Sequence, residues 1–293
     1  MIALTGATGL IGGLVRERLD AAGTPTRLIV RDPARLRTPH PDVRTAGYGD
    51  ADALLRALAG IGTLFMVSAA ESADRVSQHR TLIDSAARAG VTRIVYLSFL
   101  GADPQASFTL ARDHAATETH LRASGLAFTF LRDNFYHRLI PQMAGPDGVI
   151  RGPGGEGRIG SVAHSDVADA VVAVLQAGRS PAAGPGAARY DGQTFTLTGP
   201  STWSLAEGAT ELSEATGRPV TYLPESVTQA RASRAHFGAP EWEVTGWISS
   251  YLAIAAGDMD VVTDDLERLT GHPAQDLPEY LRLNPDAYRH LLP

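Results

Sequence analysis

The sequence predicts an α/β fold: a doubly wound parallel sheet with a smaller, mostly helical C-terminal lobe. Three observations predict it. Short β-rich runs take turns with helical patterns through the first half, each helical pattern stops at a glycine, and the rhythm is lost after Asn134. Such alternation implies right-handed crossovers and a sheet buried on both faces.

The strand-like runs are MIALT (1–5), TRLIV (26–30), DVRTA (42–46), TLFMV (63–67), RIVYLS (93–98) and AFTFLR (127–132). Most are short, apolar and bounded by turn formers, as strands covered on both faces are. Between them lie GLVRERLDAAG, DADALLRALAG, HRTLIDSAARAG and ARDHAATETHLRASG, whose apolar residues recur at about the 3.6-residue helical period. Beyond Asn134 the chain reads as a Gly/Pro-rich loop (144–157), a strand-like RIGSVA (158–163) and a helix over 165–178. Ser165 and Asp166 suit the cap and first turn of that helix. A second surface loop, GRSPAAGPGAA (178–188), leads to a strand-like QTFTLTG (193–199) and then to mostly helical segments.

Composition narrows the function. The 293 residues are 44% hydrophobic with net charge -6, enough for a sizeable core and without the clustered basic face that nucleic-acid binders carry. With no cysteine, disulfides, thiolate zinc sites and cysteine nucleophiles are excluded, which agrees with a cytoplasmic protein. No basic segment precedes the short apolar run at the start, and nowhere do about 18 apolar residues pass uninterrupted, so neither secretion nor membrane spanning is indicated. All 26 Lys and Arg residues are arginines, so any mechanism that needs a lysine is excluded. Neither H-E-x-x-H nor G-x-S-x-G occurs, which removes the corresponding metal-site and hydrolase readings.

The stretch LTGATGLIGG, residues 4–13, runs from the first strand into the first helix with Gly6, Gly9 and Gly12 spaced three apart. A glycine at the strand end permits the tight turn, the next lets backbone approach a pyrophosphate, and the third lets helix pack close to sheet. The helix N-terminus then presents free N–H groups to the phosphates. The spacing is not the commoner G-x-G-x-x-G, but its place at the head of a βαβ unit is the context that the fingerprint requires. Residues 1–133 are therefore expected to form an NAD(P)-binding Rossmann domain, to which 155–198 return elements. Residues 134–154 and 199–293 would form a substrate lobe. At the tip of the second strand stands Arg31, with Arg35 and Arg37 near. Arginine there accommodates the 2′-phosphate of NADP, whereas a carboxylate holds the ribose of NAD. NADP is favoured, and the neighbouring Asp32 keeps NAD open.

TGATGLIGG, RDPAR, YGDADALLRALAGIGTLFMVS, HRTLIDSAARAGVTRIVYLS and ASGLAFTFLRDNFY together resemble the NmrA-like group of atypical short-chain dehydrogenases. The likeness is strongest to its type 2 NAD(P)H:quinone oxidoreductase branch and covers roughly residues 1–180. The resemblance implies that Gly6, Thr8, Gly9, Leu10, Ile11 and Gly12 cradle the pyrophosphate and that Arg31 binds the 2′-phosphate. It places Gly49 and Asp50 near the adenine and Ser68, Ala69 and Ala70 beside the ribose. Ser98, His114 and Asn134 complete the cofactor set, the segment Asn134 to Tyr136 bordering the nicotinamide.

One departure is informative. Typical members of the superfamily use Tyr-x-x-x-Lys to deliver a proton to a carbonyl oxygen. Here the tyrosine slot holds Leu110 and the lysine slot His114. Ordinary ketone reduction is thereby disfavoured. A quinone needs less help, because reduction restores aromaticity and stacking on the nicotinamide can suffice. His114 is a candidate to bond a ribose hydroxyl or protonate a hydroquinone oxygen, with a plain helix-surface histidine as the alternative. Tyr136 and Phe135 are expected to line the pocket, and His236, Phe237, Trp242, Trp247 and Tyr251 offer a roof for it or plain helix packing. The expected activity is NADPH-dependent hydride transfer to a quinone or similar conjugated carbonyl, catalysed by His114 and Tyr136. The expected substrate is a small quinone or aromatic molecule, with no nucleic acid, membrane or metal involved and a homodimer open. The alternative is a non-catalytic NADP(H)-binding redox sensor of NmrA type.

Overall fold

The computed structural model describes residues 1–177 and 189–292; the loop expected over 178–188 lies outside them. Six strands alternate with four helices as expected. They are β1 (Ile2–Thr5), α1 (Leu10–Ala21), β2 (Thr26–Val30), β3 (Val43–Thr45), α2 (Ala51–Leu58), β4 (Thr63–Val67), α3 (Arg75–Arg88), β5 (Arg93–Phe99), α4 (Thr109–Ala123) and β6 (Ala127–Asp133). Then come α5 (Leu139–Met143), β7 (Val149–Gly152), β8 (Arg158–Ile159), α6 (His164–Ala177) and β9 (Thr194–Leu197). The remainder holds β10 (Trp203–Ser204), α7 (Leu205–Thr216), β11 (Thr221–Pro224), α8 (Val227–Arg234), α9 (Glu241–Ala255), α10 (Asp265–Thr270) and α11 (Leu277–Leu283).

The main sheet has seven strands in the order β3-β2-β1-β4-β5-β6-β9, all parallel. Successive residues of a strand face opposite sides, and the two sides bury different partners. Ile2, Leu4, Leu28 and Leu131 pack against Val15 and Leu19 of α1 and Val167 and Val171 of α6. Ala3, Ile29, Leu64 and Phe130 pack against Leu54 and Leu58 of α2 and Leu82 and Ile83 of α3. Truncating one of these fully buried leucines to alanine costs roughly 2–5 kcal/mol.

Two local expectations are corrected. α6 starts at His164, so Ser165 lies inside its first turn instead of capping it. The Gly/Pro-rich passage contains β7, paired in parallel with β11, and RIGSVA shortens to β8, paired with β10 outside the main sheet. A four-residue strand that meets its partner only some seventy residues later leaves no periodicity to read.

The loop after β2 is held from beneath. Arg16 of α1 is buried and donates to Thr38 O, Thr38 Oγ1 and Pro39 O. The C-terminal lobe is pinned at the end of β6. His137 and Ser161 are hydrogen-bonded at 2.6 Å, Trp203 Nε1 donates to the same hydroxyl, and His137 Nε2 meets Gln275 O. A third apolar cluster, including Phe99, Phe108 and Phe135 with Trp203, Leu205 and Ile254, fills the space between sheet end and lobe.

Candidate active site

The turn from β1 to α1 can be built only with glycine. Gly6 has φ +68°, and a Cβ there would lie 2.8 Å from Val67 Cβ. A Cβ on Gly12 would lie 2.2 Å from the Gly6 carbonyl oxygen. Gly9, the N-cap of α1, donates to that carbonyl at 2.8 Å and brings no side-chain cap, and the first turn of α1 carries no acid. The leading amides of α1 and the positive end of its dipole are thus left for an external anion. That cradle fits a dinucleotide pyrophosphate.

Two connected spaces run from it. Gly6, Gly9, Leu10, Ile11 and Gly12 line a cleft of about 550 Å³. Gly6, Thr8, Arg31, Ser68, Ala69 and Ala70 line a groove of about 230 Å³, and Gly6 and Ser68 border both. Tyr48 closes the groove, its hydroxyl donating to Val67 O at 2.6 Å. Arg35 and Gly49 do not line the groove, and Arg37 lines a separate recess beside Arg16. Asp50 is not a groove residue either: it is the N-cap of α2, its carboxylate accepting the Ala53 N–H at 2.9 Å.

A one-way chain of donors backs the inner end of the cleft. Arg75, 6% exposed, donates through Nε to Ala69 O and through Nη2 to His114 Nε2 at 3.3 Å. With Nε2 accepting, the proton of His114 sits on Nδ1 and is donated to Tyr96 Oη at 3.0 Å. Tyr96 passes its own to Ser68 Oγ, which donates to Leu97 O. Burial first, then the Arg75 charge, holds His114 well below the usual imidazole range. His114 therefore lines the cleft as expected but as a neutral ring with both nitrogens engaged. That departs from the expectation of a ribose ligand or proton donor, since its two nitrogens are taken up by Arg75 and Tyr96. Leu110 also lines the cleft, so both slots of the missing Tyr-Lys pair face it with groups that supply no proton.

Tyr136 donates to Asp133 Oδ2, and both line the cleft. Asp133 is 3% exposed, and burial pushes its carboxyl up to about 8. The Tyr136 phenol is raised by burial and by Asp133, and its ring stacks on His164 at 4.0 Å. The same cleft is lined by an aromatic cluster of Phe99, Phe108 and Phe135, with centroids 5.1 to 5.5 Å apart.

Two further expectations change. Asn134 is fully buried and leaves the cleft, its amide donating to Met259 O at 3.0 Å and its oxygen accepting the Phe135 N–H. It ties β6 to the lobe. Ser98 lines the cleft, but its hydroxyl donates to Glu118 Oε1 at 2.7 Å, where Arg132 also binds. Of the C-terminal aromatics, His236, Phe237, Trp247 and Tyr251 line an adjoining chamber of about 970 Å³ and not the cleft, while Trp242 lines neither.

Sequence reasoning missed Arg75, Asp133, Tyr48 and Tyr96. Asp133 carried a usable signal, since it ends β6 and the C-terminal ends of parallel strands face the crevice. Arg75 and Tyr96 carried none, because only the fold brings them to His114.

A glycine turn at the first strand end, an arginine-bordered groove and an aromatic cleft beyond the parallel strands define a dinucleotide-binding Rossmann protein with room for a second ligand. Comparison with known proteins is consistent with this. Residues 6–177 match the family described as NAD(P)H-binding. Quinone oxidoreductase 2 of Escherichia coli (strain K12) is 34% identical over 287 residues, covering 95% of this chain and 96% of that one. The NAD(P)H azoreductase of Xenophilus azovorans is 30% identical over 295 residues, covering 98% and 99%. The crystal structure of the Escherichia coli NADPH-dependent quinone oxidoreductase complexed with NADPH superimposes with a TM-score of 0.85 at 34% identity, covering 97% and 99%. The chain belongs to the NAD(P)H-binding, NmrA-like atypical short-chain dehydrogenase family, a family of NAD(P)H-dependent oxidoreductases that includes quinone oxidoreductase and azoreductase.

Proposed function

We propose that the protein reduces a quinone or similar conjugated carbonyl with NADPH, residues 1–133 and 155–198 carrying the cofactor and the remaining lobe covering the acceptor. The observation that carries this reading is that the Tyr136–Asp133 pair and the aromatic cluster line one cleft, which continues from the glycine turn.

Gly6, Gly9, Leu10, Ile11 and Gly12 would hold the pyrophosphate on the amides of α1, and Arg31, exposed on the groove, would meet the 2′-phosphate. When bound there, NADPH supplies the hydride. Phe99, Phe108 and Phe135 exclude water and offer faces for a flat acceptor. Reduction to a hydroquinone takes one hydride and one proton, and Tyr136 is the group placed to give the proton. For this step the contact runs the other way, protonated Asp133 donating to the Tyr136 oxygen and so freeing the phenol proton for the acceptor. As that proton leaves, the Asp133 proton moves onto the phenol oxygen, and a carboxylate remains in place of a buried phenolate. This pair takes over the task of Tyr-x-x-x-Lys without a lysine.

The apolar, open cleft favours catalysis over a sensor, which needs no space for a second ligand. Steady-state nicotinamide absorbance with a panel of quinones and an azo dye tests the reading. Oxidation of NADPH on adding quinone is expected. Tight NADPH binding with no oxidation by any acceptor would overturn it in favour of the sensor.

A further inference from the structure

Beside the cleft lies the chamber of about 970 Å³ to which the proposed reaction assigns nothing. Leu139 and Gln142 border both spaces. They are three apart on α5 and so share one face of it. α5 is therefore the sill between the two spaces. The chamber walls include Met143, Val149, Phe237, Trp247 and Tyr251. Phe237 is 62% exposed and meets Trp247 edge-on at 5.7 Å, an aromatic surface left open to solvent. Exposed apolar surface of this kind marks a binding site.

We propose that this chamber receives a prenyl-type side chain carried by an acceptor whose ring is reduced in the cleft. The proposal rests on the hydride-transfer reading above. Charge argues for an uncharged occupant, because the chamber's cations are already matched. Arg151 pairs with Asp147 at 2.6 Å, and Arg234 pairs with Glu225 at 3.1 Å while covering the Tyr251 ring at 5.1 Å. The route argues for a flexible occupant. A ligand seated against Phe135 and Tyr136 must cross α5 to reach Trp247, which a chain of rotatable bonds does and a rigid fused ring system does not.

The test is a series of quinones sharing one ring and carrying zero to three isoprene units. Expected is a rise in kcat/KM of roughly tenfold per unit over the first units, the order set by burying a few methylenes each. In Phe237→Asp, which places a carboxylate in the chamber wall at an exposed position, the ratio between longest and shortest acceptor should collapse. Equal kcat/KM across the series, with the bare ring still reduced, would overturn the chamber assignment and leave the hydride-transfer reading standing. If no ring is reduced, that reading fails and a titration of the NADPH-loaded protein with farnesol, which accepts no hydride, decides for the chamber. Saturable quenching of tryptophan fluorescence, lost in Phe237→Asp, supports it; no quenching overturns it.

Discussion

Tyr136 donates its phenolic proton to the carboxyl of Asp133, three residues earlier at the end of β6, and burial keeps that carboxyl neutral up to about pH 8. The pair predicts a pH signature in both rate and stability. Because the folded pKa is raised above the unfolded value of about 3.9, the folded state holds the extra proton between the two, and stability falls as pH rises from about 4 to about 8. Asp133→Asn removes this loss and should raise Tm most above pH 8. In the native protein kcat should decline as pH rises through about 8, where the proton reserve empties. If Asp133→Asn keeps the same alkaline limb, Asp133 is not that reserve.

Tyr136→Phe removes the donor while leaving the ring on His164. We expect kcat with a quinone to fall roughly 10- to 100-fold, at or below the bottom of the range of about 100- to 10,000-fold for general acids, because an electrophilic acceptor needs less assistance. The dissociation constant for NADPH should stay unchanged. Adding Asp133→Asn should cost little more, since the two groups work in series, and a double-mutant cycle on kcat reads this coupling. Fully additive losses would separate them.

The alternation of strand and helix was legible because each element carries its own period, and β2 and β4 fall on the runs TRLIV and TLFMV at both ends. The glycine turn was legible for the same reason, its three glycines being local to one βα junction. What could not be read depends on distant meetings. β7 needs β11, Asn134 needs Met259, and the state of His114 is set by Arg75 from another helix. The sequence pointed to His114 as an acid from its slot in the motif, but slot and protonation are separate properties, and burial beside a guanidinium decides the second.

The glycine turn gives a paired prediction. At Gly12 a Cβ meets the Gly6 carbonyl at 2.2 Å, backbone against backbone, so Gly12→Ala must open the turn. A cost of about 3 kcal/mol or more is expected, with NADPH binding lost. At Gly13 the nearest atom to a new Cβ is Ala7 O at 3.7 Å, an ordinary contact. Gly13→Ala should bind normally and gain roughly 0.5–1 kcal/mol from helix propensity. Thermal unfolding and nucleotide titration of the two variants check the contrast, and equal behaviour would show that the turn is not close-packed.

Arg31 borders the groove with Thr8, Tyr48 and Ser68. A charge-assisted bond from its guanidinium to a 2′-phosphate is worth about 1.5–3 kcal/mol, a factor of roughly 10 to 100. Arg31→Ala should raise KM for NADPH by that factor and leave KM for NADH unaltered, because NADH has no phosphate to lose. Parallel loss of both nucleotides would mean that Arg31 shapes the loop instead of reading the phosphate.

Histidines set an acid limit. Burial holds His79 down to about 3, His137 and His164 to about 4, and His114 well below the usual range, against an ordinary 6.5. Each stays neutral in the folded chain while its unfolded counterpart takes up a proton below about pH 6.5, so folded protein binds fewer protons and loses stability as pH falls. Asp133, raised to about 8, works in the opposite sense throughout this interval and offsets about one of the four imidazoles, while Glu71, Asp113 and Asp166, all raised by burial, oppose part of the loss lower in the pH range. Between about pH 6.5 and 5 the four imidazoles dominate, and Tm should drop steeply across that interval. His79 is fully buried, with the Ala69 N–H on Nε2 and Thr117 Oγ1 on Nδ1, so protonating it breaks the bond that holds the Ala69 peptide at the groove. Because His79 stays neutral in folded protein until about pH 3, NADPH affinity should hold for as long as the chain stays folded and be lost together with structure. Nucleotide titrations at pH 7 and pH 5.5, set beside circular dichroism at both, test this. Loss of binding at pH 5.5 with the structure intact would show that His79 takes up its proton in the folded chain far earlier.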